Sequence, residues 1–224
     1  GARADMSWPR QLERMLNESS GDVRWEVLNC GICGSSTAQE MLLYREVVAR
    51  YQPDIVLCGF FVGNDLTDNS RQLSNNPRIY FDLDPSGQLV QLPYSASRRM
   101  LSAWLNRHSR FYVWQRTAIS RARHRMDGTL GVMNPGDWVF SSQESPEIAH
   151  AWDISAALLK QFCQEVESRG SLFAVVLIPS ATSVCDDCFQ VVAERAGSQA
   201  AQLQQDYPEQ RLEAICRKAH IPYW

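Results

Sequence analysis

Residues 54–63 read DIVLCGFFVG, and from Ile55 to Gly63 there is neither a charge nor a proline. The run is too short to span a bilayer, which needs about 20 apolar residues. It also lacks the alternation of a strand with one wet face. Such a stretch predicts a strand buried on both faces of a parallel sheet. LFAVVLIPS (172–180) is a second strand of the same kind.

Helical periodicity fills the space around these strands. TAQEMLLYREVVARY (37–51) places Leu43, Val47 and Tyr51 at helical spacing, with Thr37 and Glu40 as a capping box and Pro53 as the stop. WEVLN (25–29), ahead of it, reads as a short strand. Strand, helix and strand then form a βαβ unit with a right-handed crossover. WPRQLERMLN (8–17) is a helix with Pro9 in its first turn and Leu12, Met15 and Leu16 on one face. PEIAHAWDISAALLKQFCQEVESRG (146–170) is a long helix stopped by Gly170, PEQRLEAICRKAH (208–220) is another, and IPYW (221–224) reads as the beginning of a strand.

The 224 residues suit one domain, 1–224, since 45% apolar and 21% charged residues support a packed core. An inserted stretch lies at about 75–130 and begins with a hairpin: RIYFDLDPSGQLVQL (78–92) has two alternating runs about Asp84-Pro85-Ser86-Gly87. Residues 95–125 read as a helix with eight arginines and no acid, so a net charge of −3 leaves −11 for the remainder (−3 − 8 = −11). Two readings stand for this helix: packing on its own acidic domain, or lying on an anionic membrane surface. The overall charge gives no reason to expect a nucleic-acid partner. No window is apolar enough for a membrane span, no signal peptide is visible after Gly1, and the compartment is left open.

Seven cysteines, an odd number, do not read as a secreted disulfide framework. CGIC (30–33) and CDDC (185–188) have CxxC spacing, which builds a zinc site where two such pairs meet. They lie far apart in sequence with no ribbon-like hairpin at either, and Asp186 and Asp187 disfavour thiolates beside them. The expectation is small, mostly buried residues, with no metal and no cofactor.

The strand ends carry the chemistry. In an open parallel sheet, ligands bind beyond the carboxyl ends of the strands. Two successive strands lead there to Gly31–Gly34 and to Gly63-Asn64. Glycine lets a ligand approach bare backbone N–H groups, and the Asn64 carboxamide donates a hydrogen without bringing a charge. A loop amide and a carboxamide are the parts of an oxyanion hole. The alternative is a plain turn in which Asn64 and Asp65 bond their own backbone.

NCGICGSST (29–37) and VGNDL (62–66) resemble the second and third blocks of the SGNH/GDSL hydrolases, and the similarity runs from Gly1 to the last residue. The resemblance implies a flavodoxin-like three-layer α/β/α sandwich with a mostly parallel sheet. It also implies an enzyme that hydrolyses acyl or acetyl esters of small molecules or saccharides. Gly34 would give its N–H and Asn64 its side chain to the oxyanion, with Asn29, Gly31, Gly63 and Asp65 in support. The family's GDS nucleophile block and its DxxH block have no counterpart in the 224 residues. GARADMSWP (1–9) resembles the segment on the carboxyl side of the GDS block, and IPYW resembles the strand that leads into DxxH. The expectation is therefore an inactive fragment lacking nucleophile, base and the central first strand, which would otherwise stand between 25–29 and 55–62. Glu147 with His150, one turn apart, reads as surface chemistry; His108, His124 and His220 have no evident partner. Saccharide O-acyl transfer and a non-catalytic binding module are the alternatives.

Overall fold

The computed structural model describes residues 7–19, 21–74, 76–94, 109 and 136–224. The chain divides into two compact units, Gly1–Ser35 and Ser36–Trp224. The expected basic helix at 95–125, with His108 and His124, lies outside the described residues.

In the first unit, Trp8–Ser19 forms helix α1. The strand expected at 25–29 is absent: these residues pair with no strand among the described residues. Side chains of α1 bond part of their backbone instead. Asn17 donates to the Trp25 carbonyl and accepts the Trp25 N–H, both at 2.8 Å, while Glu13 accepts the Val27 N–H at 2.9 Å. The Trp25 and Val27 amides thereby find acceptors without a sheet.

The second unit is mixed α/β with a small parallel sheet. Helix α2 runs Thr37–Glu46, and a 3-10 turn, Val48–Tyr51, continues it to the left-handed Gln52. Its cap lies one residue earlier than expected. Ser36 is the N-cap, and the Gln39 side chain accepts from the Ser36 N–H and hydroxyl. Glu40 is thereby released from capping and turns inward to accept the Cys58 thiol at 3.3 Å.

Strand β1 (Ile55–Phe61) is followed by the short helix α3 (Asp65–Asn69), and strands β2 (Phe81–Leu83) and β3 (Leu89–Gln91) form the expected hairpin. Helix α4 spans Pro146–Glu167, with Ser145 as N-cap and Pro146 in the first turn. Strand β4 (Leu172–Ile178) pairs parallel with β1, Ile55 opposite Leu172 and Phe61 opposite Ile178. Helices α5 (Ala181–Val184), α6 (Asp186–Ala196) and α7 (Tyr207–Lys218) come next. The last three residues run parallel along the other edge of β4, where Leu177 donates to Trp224 and Trp224 to Val175. The strand expected at 221–224 is thus present as a single bridge at Tyr223.

One face of the β1–β4 pair is fully packed. Phe60 stacks on Trp152 at 6.2 Å, and Phe162 lies 4.9 Å from Phe173 and 5.5 Å from Tyr44. Ile148, Trp152, Ser155, Leu159, Phe162 and Val166 of α4 recur at helical spacing along this core. The opposite face differs from the expected burial on both sides. Ile55, Leu57, Phe61, Leu172 and Ile178 are 37–66% exposed there. An unbroken apolar run is also what a one-sided strand looks like when nothing polar has replaced its outer residues.

The ladder leaves β1 a free edge. Val62 donates to Ile178, so by the alternation of a strand Ile55, Leu57 and Gly59 turn their N–H and C=O groups away from β4. No strand stands on that side among the described residues.

Candidate functional site

The turn after β1 is built to hold one conformation. Asn64 is the N-cap of α3, its carbonyl accepting the Asp68 N–H at 2.7 Å and the Thr67 hydroxyl at 2.9 Å. The Asp65 carboxyl group folds back onto the strand end and accepts the Phe61 N–H at 2.7 Å. That N–H is one of the groups on the free edge, so Asp65 supplies locally the acceptor that a neighbouring strand would otherwise provide. Gly63 lets the Phe61 ring fold close: a methyl group there would sit 2.5 Å from the ring, which would have to swing away.

Asn64 is half-buried, and its amide nitrogen donates to Asp68 at 2.8 Å. A carboxamide has two hydrogens on that nitrogen, so one is committed and the second is the donor a ligand can use. Asp68 also accepts from Ser74 at 2.8 Å and Asn76 at 3.2 Å, and Arg78 approaches it at 3.1 Å. The orientation of Asn64 is therefore set by a carboxylate that is itself held from three directions.

Asn69 fixes the turn to the rest of its unit. Fully buried, it accepts the Ala38 N–H at 3.2 Å and donates to Thr37 at 3.2 Å and Ser155 at 3.1 Å. The first turn of α2, the end of α3 and the middle of α4 meet on one side chain. The sequence reading missed Asp68 and Asn69; the signal was their spacing of four from Asn64 and Asp65, which puts each pair on one side of a helical turn.

In the first unit, Asn29 accepts the Gly31 N–H at 3.1 Å, a local turn of the Asx kind. Ser35 donates to Ile32 at 3.0 Å. Between them Gly34 has φ +77°, in the left-handed region that glycine alone adopts freely, and it is exposed. Its N–H has no partner among the described residues. Gly34 and Asn64 thus belong to different units, and each is defined within its own.

The ground beneath the turn holds protons. Burial pushes the Asp65 carboxyl up to about 8, with the nearby Glu40 and Asp68 acting in the same direction against the Phe61 N–H. Burial raises Glu40 as well, and Cys58 is held far above the ordinary thiol range by burial and then by Glu40. At neutral pH, Asp65 is mostly the neutral acid and Cys58 the thiol.

The Glu147–His150 pairing takes a different form. His150 Nε2 lies 2.7 Å from Asp82 on β2, while Glu147 is held by Ser145 at the helix start, which lowers its carboxyl. The dyad ties the hairpin to α4. Both groups are about a third exposed, so His150→Ala is expected to cost at most about 1 kcal/mol in a urea titration.

Neither CxxC pair enters a metal cluster: among the described residues no group of three or more His, Cys, Asp and Glu is placed to hold an ion. No helix among them is long and apolar enough to cross a membrane. Comparison of the chain with family models, curated proteins and solved structures finds no match.

Proposed function

We propose that the chain carries the oxyanion-binding part of an SGNH/GDSL-type serine ester hydrolase, acting on acyl or acetyl esters of small molecules or saccharides. In this reading the parallel sheet belongs to a flavodoxin-like three-layer sandwich. Asn64 donates its free amide hydrogen to the oxyanion, and the Gly34 N–H is the second donor. Asp65 and Gly63 shape the turn, and Asn29 and Gly31 shape the loop before Gly34.

The observation that supports the reading is the mounting of Asn64. It stands at the carboxyl end of a parallel strand, on a turn locked by Asp65, with its carboxamide oriented by Asp68. Preorganised donors aimed at developing charge stabilise a transition state because they need not reorganise as the reaction proceeds.

The 224 residues contain no Gly-Asp-Ser sequence and no Asp with a His three residues on. An oxyanion hole without nucleophile and base gives little catalysis. Residues 1–224 alone are therefore expected not to turn over an activated ester such as p-nitrophenyl acetate. In a protein that joins them to a GDS block and a DxxH block, Asn64→Ala is expected to lower kcat roughly 100- to 1,000-fold. An unchanged kcat in a folded Asn64→Ala variant refutes the oxyanion role. So does turnover by 1–224 alone that survives the same substitution.

One observation favours a second reading, in which Asn64 is structural: its bond to Asp68. That reading predicts a loss of about 1 kcal/mol of stability in Asn64→Ala with no effect on ester chemistry. The two are separated by measuring both quantities on the same variant.

A further inference from the structure

We propose that Cys185 and Cys188 form a reversible redox pair, in which thiol–disulfide exchange with a low-molecular-weight disulfide such as oxidised glutathione closes a bond between their two sulfurs. This inference is independent of the ester-hydrolase reading.

The pair stands on the connection that leaves the carboxyl end of β4. Cys185 is the N-cap of α6, in an extended conformation (φ −122°, ψ 112°), and its sulfur accepts the Cys188 N–H at 3.3 Å. The two residues are free and half-buried, whereas Cys58, Cys163 and Cys216 are fully enclosed. Two residues both inside a helix at this spacing have Cβ atoms about 5–6 Å apart, too far for a disulfide, which wants about 3.5–4.5 Å. Cys185 lies outside the helix, and its sulfur already rests against the backbone nitrogen of Cys188.

The environment assigns the order of attack. The Cys185 sulfur receives a backbone N–H at a helix start, which favours negative charge and opposes the effect of Asp186 and Asp187 beside it. The Cys188 thiol is raised above its ordinary value, first by its hydrogen bond to Cys185 and then by burial and the neighbouring charges. Cys188 is thereby the less reactive thiol, and the N–H on the Cys185 sulfur assigns the first attack to Cys185. The Cys185 thiolate attacks one sulfur of glutathione disulfide, forming a mixed disulfide and releasing one glutathione thiolate. Cys188 then loses its proton to solvent and attacks the Cys185 sulfur, closing the protein disulfide and releasing the second glutathione. Two protein thiols are oxidised and one external disulfide is reduced to two thiols, so electrons and protons balance.

Beyond its first turn α6 is anchored by packing: Val192 is buried, and Phe189 packs edge-on against Phe140 at 6.1 Å. Thr182, just before the pair, is held by Gln205 at 3.1 Å.

The test equilibrates the full chain with reduced and oxidised glutathione at a series of ratios, traps free thiols with iodoacetamide and maps peptides by mass. A Cys30→Ser/Cys33→Ser background removes the other CxxC pair. Expected is a peptide carrying both Cys185 and Cys188, lighter by two hydrogens, whose fraction rises with the oxidised form and reverses on adding reduced glutathione. Cys188→Ser is expected to retain glutathione on Cys185, and Cys185→Ser to show at least tenfold slower modification at Cys188. Thiols that stay alkylatable across the series overturn the proposal. Equal adduct formation by the two single variants overturns the order of attack. Far-ultraviolet circular dichroism of the oxidised chain matching the reduced one excludes oxidation through unfolding; a lost helical signal overturns the proposal.

Discussion

Asp65→Asn is expected to make the protein more stable by about 4 kcal/mol at pH 7, with a gap that closes on acidification. The cause is the carboxyl's burial, which lifts it to about 8 in the folded chain, against about 4 in the unfolded one. A carboxyl raised by folding binds its proton more tightly in the native state. Its favourable contribution is complete below about pH 4, declines as pH rises between the two values, and is gone above about 8. At pH 7 roughly three units of that interval have been crossed, at about 1.4 kcal/mol each. Asparagine keeps an oxygen of the same shape for the Phe61 N–H and carries no charge to desolvate. Urea titrations of both proteins at pH 5, 7 and 9 measure the gap. A variant no more stable than the parent at pH 9 would mean that Asp65 is not held in a charge-excluding site. Glu40, also raised, titrates in the same direction and is coupled to Asp65, so the gap reports the pair.

Asn69→Ala is expected to destabilise the second unit by about 3 kcal/mol and to loosen the start of α2. The substitution removes three hydrogen bonds from one fully buried side chain. Left behind are the Ala38 N–H and the Thr37 and Ser155 hydroxyls, all buried. An unsatisfied buried group costs about 1–3 kcal/mol, and hydroxyls relieve part of that by turning to other acceptors. Hydrogen exchange at Ala38 reads the local effect and should accelerate beyond what global destabilisation explains. Slow exchange at Ala38 with unchanged stability would show that water or a neighbour takes the place of Asn69. Asn69→Asp should be worse still, since it also loses both amide donors and brings a charge into the same enclosure as Asp65 and Asp68.

These two residues show where the chain reads easily and where it does not. The parallel strands β1 and β4, the long helix α4 and the hairpin around Asp84 are legible because each rests on local chemistry. Uncharged runs, 3.6-residue periodicity and a turn residue that bonds its own neighbours are properties of a few consecutive residues. Asp84 illustrates this, accepting the Ser86 and Gln88 N–H groups within its own turn. The segment 25–29 was illegible for the opposite reason. Whether an extended run is a strand depends on what lies beside it, and here that is Asn17 and Glu13 of a helix. The cap of α2 shifted by one because Ser36, Thr37, Gln39 and Glu40 offer two overlapping boxes. Glu40 is claimed by Cys58 across the unit, which only packing could decide.

The candidate site divides the same way. The sequence by itself determined that a glycine and an asparagine follow an apolar parallel strand, because strand, turn and cap propensities are written in adjacent residues. Only the tertiary structure decided how that asparagine is aimed and how its neighbour is charged. Asp68 reaches it through a network that draws on Ser74, Asn76 and Arg78, and the Asp65 proton is retained by burial beside Glu40. The physical reason is range: backbone preference acts over a few residues, while desolvation and buried hydrogen bonding belong to groups that meet only once the chain has folded.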